Sequence, residues 1–169
     1  MTLTEMLALY ENTAATDVVE IIPPSGGDLD SPERIARQRA QGPRRGDLWM
    51  AVDPDGNDSY VMVTGVDGGR VTVVPLSNDA HDETRDSLVI ERTPLDAPMI
   101  AWPLYRTSIP ARLLYRPLKG FEPAVVDAVE AGAPGDGVRR GMDPDDGMSP
   151  AFEDRDMAAI TMIAWHIRR

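Results

Sequence analysis

The chain predicts a mainly β, α+β fold: a small antiparallel barrel with helices flanking it on both sides. Three observations carry that expectation. Short β-branched and aromatic runs crowd into residues 45–120, among them Leu48-Trp49-Met50-Ala51-Val52, Tyr60-Val61-Met62-Val63-Thr64 and Val71-Thr72-Val73-Val74. Asp-Gly, Gly-Gly and Pro punctuate these runs at short intervals, as a meander of strands requires. Helix signals fall before and after this block.

The elements follow in order. Thr2 and Glu5 form a capping-box pattern, with Leu3, Met6, Leu7 and Tyr10 at helical spacing, so a short helix is expected to end near Asn12. Val18-Val19-Glu20-Ile21-Ile22 reads as an extended segment, stopped by Pro23-Pro24. Ser31-Pro32-Glu33 starts a second helix, with Ser as N-cap, Pro at the first helical position and an acid beside the positive dipole end. Gly42-Pro43 ends it after Gln41. Leu48, Met50 and Val52 alternate with Asp47, Trp49 and Ala51, which predicts a half-buried strand, and Trp49 is expected in the core. Asp53-Pro54-Asp55-Gly56-Asn57-Asp58 is a polar turn. Its acids lack the Gly and Glu that a calcium loop needs at its sixth and twelfth positions.

Val61 and Val63 face Val71 and Val73 across a hairpin at Asp67-Gly68-Gly69. Leu88-Val89-Ile90 is a short strand, and residues 99–104 and 112–114 are expected to complete the barrel, with Pro103 and Pro110 near an edge or bulge. Pro123 begins a helix through Val125, Val126 and Val129 that Gly132 ends. Residues 131–149, rich in Gly, Pro and Asp, read as a linker. Ser149-Pro150 starts a last helix, on which Met157, Ile160, Ala164 and Ile167 form one apolar stripe with Trp165 beside it. The expected division is residues 1–42 as a helical extension, 43–131 as barrel with closing helix, 132–149 as acidic linker and 150–169 as amphipathic helix.

Composition narrows the function classes. The 169 residues are 42% hydrophobic, enough for one modest core. No apolar run approaches the ~20 residues of a membrane span. The N-terminus lacks the layout of a signal peptide, so a soluble cytoplasmic protein is the expectation. With no cysteine, disulfides, thiolate metal sites and cysteine nucleophiles are excluded. No phosphate loop, nucleophile elbow or metal-ligand spacing is present, so no cofactor is expected. The net charge of −11 argues against a general nucleic-acid coat protein. Yet no acid lies between Ala97 and Phe121, where Arg106, Arg112, Arg116 and Lys119 form a basic stretch suited to phosphates or an acidic peptide. The same residues also read as long side chains snorkelling at a barrel rim. His81, among acids, reads as a solvated loop residue, or as a base or metal ligand.

The order of four short motifs resembles the MazF/PemK (Kid) toxin family, relatives of CcdB. Arg45-Gly46-Asp47-Leu48-Trp49, Asp53-Pro54, Val74-Pro75-Leu76-Ser77 and Arg106-Thr107 fit the family's sequence of motifs, and residues 118–129 look like its closing helix. The resemblance covers roughly half the chain. It implies an SH3-like barrel, a homodimer, a toxin–antitoxin type system and an antitoxin-like or other protein partner, with single-stranded RNA as a possible ligand. An endoribonuclease of this family attacks phosphorus with the ribose 2′-hydroxyl and needs cations to hold the developing charge. By resemblance, Ser77 matches the family's hydroxyl position after Val-Pro-x and is the candidate catalytic residue. Ser59-Tyr60 stands where the family has a strand-opening Arg-Pro, and Ala101 and Pro103 stand where some members place an Arg-x-Asp pair. Losing those arginines removes the main electrostatic term, so binding is expected rather than catalysis. Trp102, Arg106, Arg112, Arg116, Lys119 and Trp165 are the expected contacts for nucleic acid or a protein partner. The alternatives are an active endoribonuclease (an mRNA interferase) with a rearranged site, or a CcdB-like gyrase inhibitor acting through the last helix.

Overall fold

The computed structural model describes residues 31–53 and 55–143. The helix expected in residues 2–12, the extended segment 18–22, the last helix with its apolar stripe, and Trp165 lie outside them. The first described element is the helix α1, Pro32–Gln41. Its start follows the local rules: the Ser31 side chain accepts a hydrogen bond from the Arg34 N–H at 3.4 Å, and Pro32 occupies the first turn. Gly42 ends it with φ +76°. No residue of α1 is buried. The helix is instead held to the sheet by polar side chains: Arg34 Nη2 donates to the Pro117 carbonyl at 3.0 Å, and Gln38 Nε2 to that of Leu118 at 2.9 Å.

Among the described residues, eight strands form one antiparallel sheet. They are β1 Asp47–Val52, β2 Asp58–Asp67, β3 Arg70–Ser77, β4 Leu88–Ile90, β5 Met99–Ala101, β6 Thr107–Pro110, β7 Leu114–Gly120 and β8 Val138–Arg140. Their order is β7-β1-β2-β3-β5-β4-β8, with β6 also paired to β3. The hairpin β2–β3 closes through Gly68 and Gly69, with Asp67 opposite Arg70 and Val63 opposite Val73. One edge of β3 is shared. Its Arg70–Val73 part pairs with β6, and Leu76 and Ser77 pair with β5. Between them the chain makes a 3-10 turn, Pro103–Tyr105. Pro75 sits at this change of partner: its carbonyl accepts from the Trp102 N–H at 3.2 Å, and its missing donor falls where no ladder bond is needed.

Several expectations need correction. No ladder joins β6 to β7 among the described residues, so the sheet is open where a closed barrel was expected. α1 covers β7 where the closing partner would pair, shielding an edge by another route. Of residues 112–114, only Leu114 pairs as a strand, opposite Ala51 at the start of β7; Arg112 and Leu113 belong to the 3-10 turn Ala111–Leu113. Residues 118–120 belong to β7, and the helix α2 runs only over Pro123–Ala131, ending at left-handed Gly132. Within the stretch read as a linker, Val138–Arg140 pairs with β4 as β8.

The opening strand is buried on both faces. On one, Leu48 joins Met62, Val74, Leu76, Leu88, Ile90 and Met99 beneath Val125, Val126 and Val129 of α2. On the other, Trp49 and Ala51 pack with Val61, Val63, Val71, Val73, Ile109 and Leu114. This explains why β2 and β3 read as nearly continuous apolar runs rather than clean alternation, the pattern of strands covered on both sides. Each fully buried Val or Leu contributes roughly 1.5–3 kcal/mol. Trp49 is in the core, as expected.

Candidate functional site

The Arg45-Gly46-Asp47-Leu48-Trp49 motif is used throughout for building the fold. Arg45 bonds to Asp127 at 2.7 Å and also to Glu130, both on α2, and these partners push its guanidinium pKa further up, Glu130 first. Gly46 has φ +92°, donates its N–H to the Val63 carbonyl at 2.7 Å and accepts from the Phe121 N–H at 2.8 Å. It thereby stitches β2 to the junction between β7 and α2. The Asp47 carboxylate accepts from the Arg44 N–H at 2.9 Å and from Trp49 Nε1 at 3.4 Å. Leu48 and Trp49 then enter opposite cores. Every member of the motif has a structural employment.

Ser77 ends β3 and is half-buried. Its hydroxyl donates to the Asp82 carboxylate and accepts from the Asp79 N–H at 3.0 Å. The Asp79 carboxylate in turn accepts from the His81 backbone N–H at 2.9 Å and faces His81 Nδ1 at 2.8 Å. The His81 backbone N–H and then its ring hold the Asp79 carboxyl below the usual carboxylate range. The surroundings of Ser77 are therefore carboxylates arranged by a 3-10 turn, Ala80–Asp82. That setting opposes a developing phosphorane charge.

The expected basic stretch does not stay on one element. Arg106 and Arg112 are exposed and flank β6, each at a 3-10 turn. Arg116 is half-buried opposite Met50 on β7, and Lys119 is exposed near that strand's end. Trp102 is 3% exposed, packed with Val89, Ile100 and Tyr105, and its indole N–H has no hydrogen-bond partner among the described residues. Buried this way, it is not available as a stacking surface.

Between α1 and the entry to β1 lies a basic cleft that the sequence reading did not single out. It measures about 250 Å³ and is lined by Arg34, Arg37, Gln38, Gln41, Gly42, Arg44 and Asp47. Arg34 and Arg37 are one helical turn apart, so they share a side of α1. Gly42-Pro43 breaks the helix and returns the chain so that Arg44 joins them. Arg34 Nη1 also donates to Gln38 Oε1 at 2.7 Å, which couples the two side chains that anchor α1 to β7 carbonyls. A local signal was present: residues 31–47 hold five arginines and two acids in a chain of net charge −11.

Among the described residues, no group of three or more metal-binding side chains converges. None of their helices is long and apolar enough to cross a membrane. In comparisons with known proteins, no family model matches the chain, and no curated protein matches it significantly. The fold and the cleft define an α+β domain with a polar-anchored helix and a compact cationic surface.

Proposed function

We propose that this chain is a binding module on an SH3-like small barrel of the MazF/PemK kind, serving a toxin–antitoxin type system without the family's catalysis. The path β7-β1-β2-β3-β6 supports the barrel reading, since the chain passes from β6 into β7 through the 3-10 turn Ala111–Leu113 and lacks only one ladder to close. The resembling motifs fall at the entry to β1, the end of β3 and the start of β6. A homodimer and an antitoxin-like protein partner belong to this reading.

The observation that carries binding over cleavage is the state of Ser77. Its hydroxyl is held by Asp82 and Asp79, so the local field is negative where an RNA-cleaving relative needs cations. The cations of the expected basic stretch and of the cleft lie on other elements: Arg37 on α1, Lys119 on β7, and Arg106 and Arg112 at the ends of β6. Incubating the full-length protein with unstructured RNA in excess and mapping new ends tests this. Intact RNA is the expected result. Cleavage leaving 5′-hydroxyl ends, abolished in Ser77→Ala, would overturn the proposal in favour of an active endoribonuclease. DNA gyrase inhibition by the purified chain would replace it with a CcdB-like role.

A further inference from the structure

We infer that the cleft between α1 and the entry to β1 docks an acidic peptide segment of a protein partner, an assignment that rests on the binding-module reading and deepens it. The cleft's arginines are not equivalent. Arg34 is engaged with Gln38 and the Pro117 carbonyl, and neighbouring Arg45 is drawn off to Asp127 and Glu130. Arg37 and Arg44 line the same cleft, and their guanidinium groups make no ion pair among the described residues. Both are exposed. Two unneutralised guanidinium groups on a compact surface of an otherwise acidic chain form the local field that a complementary anion would neutralise.

Two features select a peptide of spaced carboxylates over nucleic acid, and a third disfavours a phosphate monoester. Among the described residues no aromatic side chain lines the cleft, so bases find no stacking platform in that lining. The net charge of −11 repels a long, uniformly charged backbone that extends beyond a single cleft. The Asp47 carboxylate shares the lining, which penalises the concentrated double charge of a phosphate monoester and tolerates single charges set apart along an extended chain. Gln41, exposed at the rim, offers an amide donor and acceptor to a peptide backbone.

Fluorescence anisotropy of a labelled Glu-Gly-Ser-Glu-Gly-Ser-Glu peptide, whose carboxylates are set apart as the cleft requires, titrated with the full-length protein, tests the assignment, with an octauridylate as second probe. Saturable peptide binding that weakens with salt is expected. Arg37→Glu and Arg44→Glu should each reduce affinity about tenfold, as loss of complementary charge at a docking site does. Arg92→Glu makes the same change in net charge on a residue that pairs with exposed Asp136 away from the cleft, and should leave affinity unchanged. Equal weakening by all three variants would reduce the effect to bulk charge and overturn the site. Absence of peptide binding, or tighter octauridylate binding lost in the cleft variants, would overturn the peptide. Either result with RNA left uncleaved would leave the binding-module reading standing, so the two failures are distinguishable.

Discussion

Removing the Asp53 carboxylate should destabilise the protein through the turn that joins β1 to β2. Asp53 is only 9% exposed. Its Oδ1 accepts from the Asp55 N–H at 2.9 Å and the Asn57 N–H at 2.8 Å, and its Oδ2 accepts from Asn57 Nδ2 at 2.9 Å. Asp53→Ala strips three donors of one charged acceptor. A charge-assisted bond contributes about 1.5–3 kcal/mol, but Asp55 and Asn57 are exposed and water replaces part of that. The net loss should be about 2–3 kcal/mol. With a urea m-value of ~1–3 kcal/mol/M, the unfolding midpoint falls by about 1 M or more. Tryptophan fluorescence during urea unfolding reads this out, with Trp49 two residues from the end of the adjoining β1 core.

The same site sets a pH dependence. Burial pushes the Asp53 carboxyl up, but the bonds from the Asn57 side chain, the Asn57 and Asp55 amides and the Gly56 amide together outweigh it, and the net direction is down. A carboxylate depressed in the folded state stabilises fully above its unfolded value, about 3.9, and loses that contribution as pH falls through its folded value. The gap between wild type and Asp53→Ala should therefore shrink in that acid window. Asp53→Asn keeps one acceptor oxygen, so it should cost less at neutral pH. A destabilisation below about 0.5 kcal/mol at neutral pH, or a gap that does not change with pH, would refute the reasoning.

Two further outcomes are expected on stability. Gly46→Ala should cost about 1–3 kcal/mol, because φ +92° is foreign to alanine and the new methyl would meet Val126 Cγ2 at 3.3 Å; thermal unfolding against wild type checks it, and an unchanged Tm would contradict it. Glu83→Gln should loosen β8. Glu83 bonds Arg139 through both oxygens, at 2.5 and 3.2 Å, and also accepts from the Met142 N–H at 3.0 Å. Arg139 holds the Glu83 carboxyl low against the opposing effect of burial, so this clasp acts above the ordinary carboxylate range and releases as pH falls through the folded value. Because Arg139 is 43% exposed, the global cost should stay near 1 kcal/mol, while amide exchange across Val138–Arg140 accelerates; exchange unchanged in those residues would count against the clasp.

How far the chain could be read depends on how locally each element is determined. α1 was legible because its cap, its first-turn Pro and its terminating Gly42 all act within a turn of the helix. The β2–β3 hairpin was legible because Gly68-Gly69 and the flanking valines specify both bend and register. β6 was not. Thr107-Ser108-Ile109-Pro110 buries a single side chain, Ile109, and becomes a strand only because the far end of β3 offers it a partner. β8 is the same case, a Val138-Arg139-Arg140 segment made extended by pairing with β4 about fifty residues earlier. Propensity carries no record of such a partner.

The candidate site divides along the same line. Sequence alone determined that the arginines of residues 31–47 stand out against an acidic chain, that a helix carries three of them, and that Gly42-Pro43 turns the chain back. Only the tertiary structure decided that they form a cleft. The Arg34 and Gln38 side chains reach carbonyls of β7 that lie 83 and 80 residues onward, and this docking sets where Arg37 and Arg44 converge. Tertiary structure likewise turned Ser77 inward to Asp82 and buried Trp102. Motif spacing orders residues along a chain, whereas the charge around a hydroxyl depends on which segments fold against it.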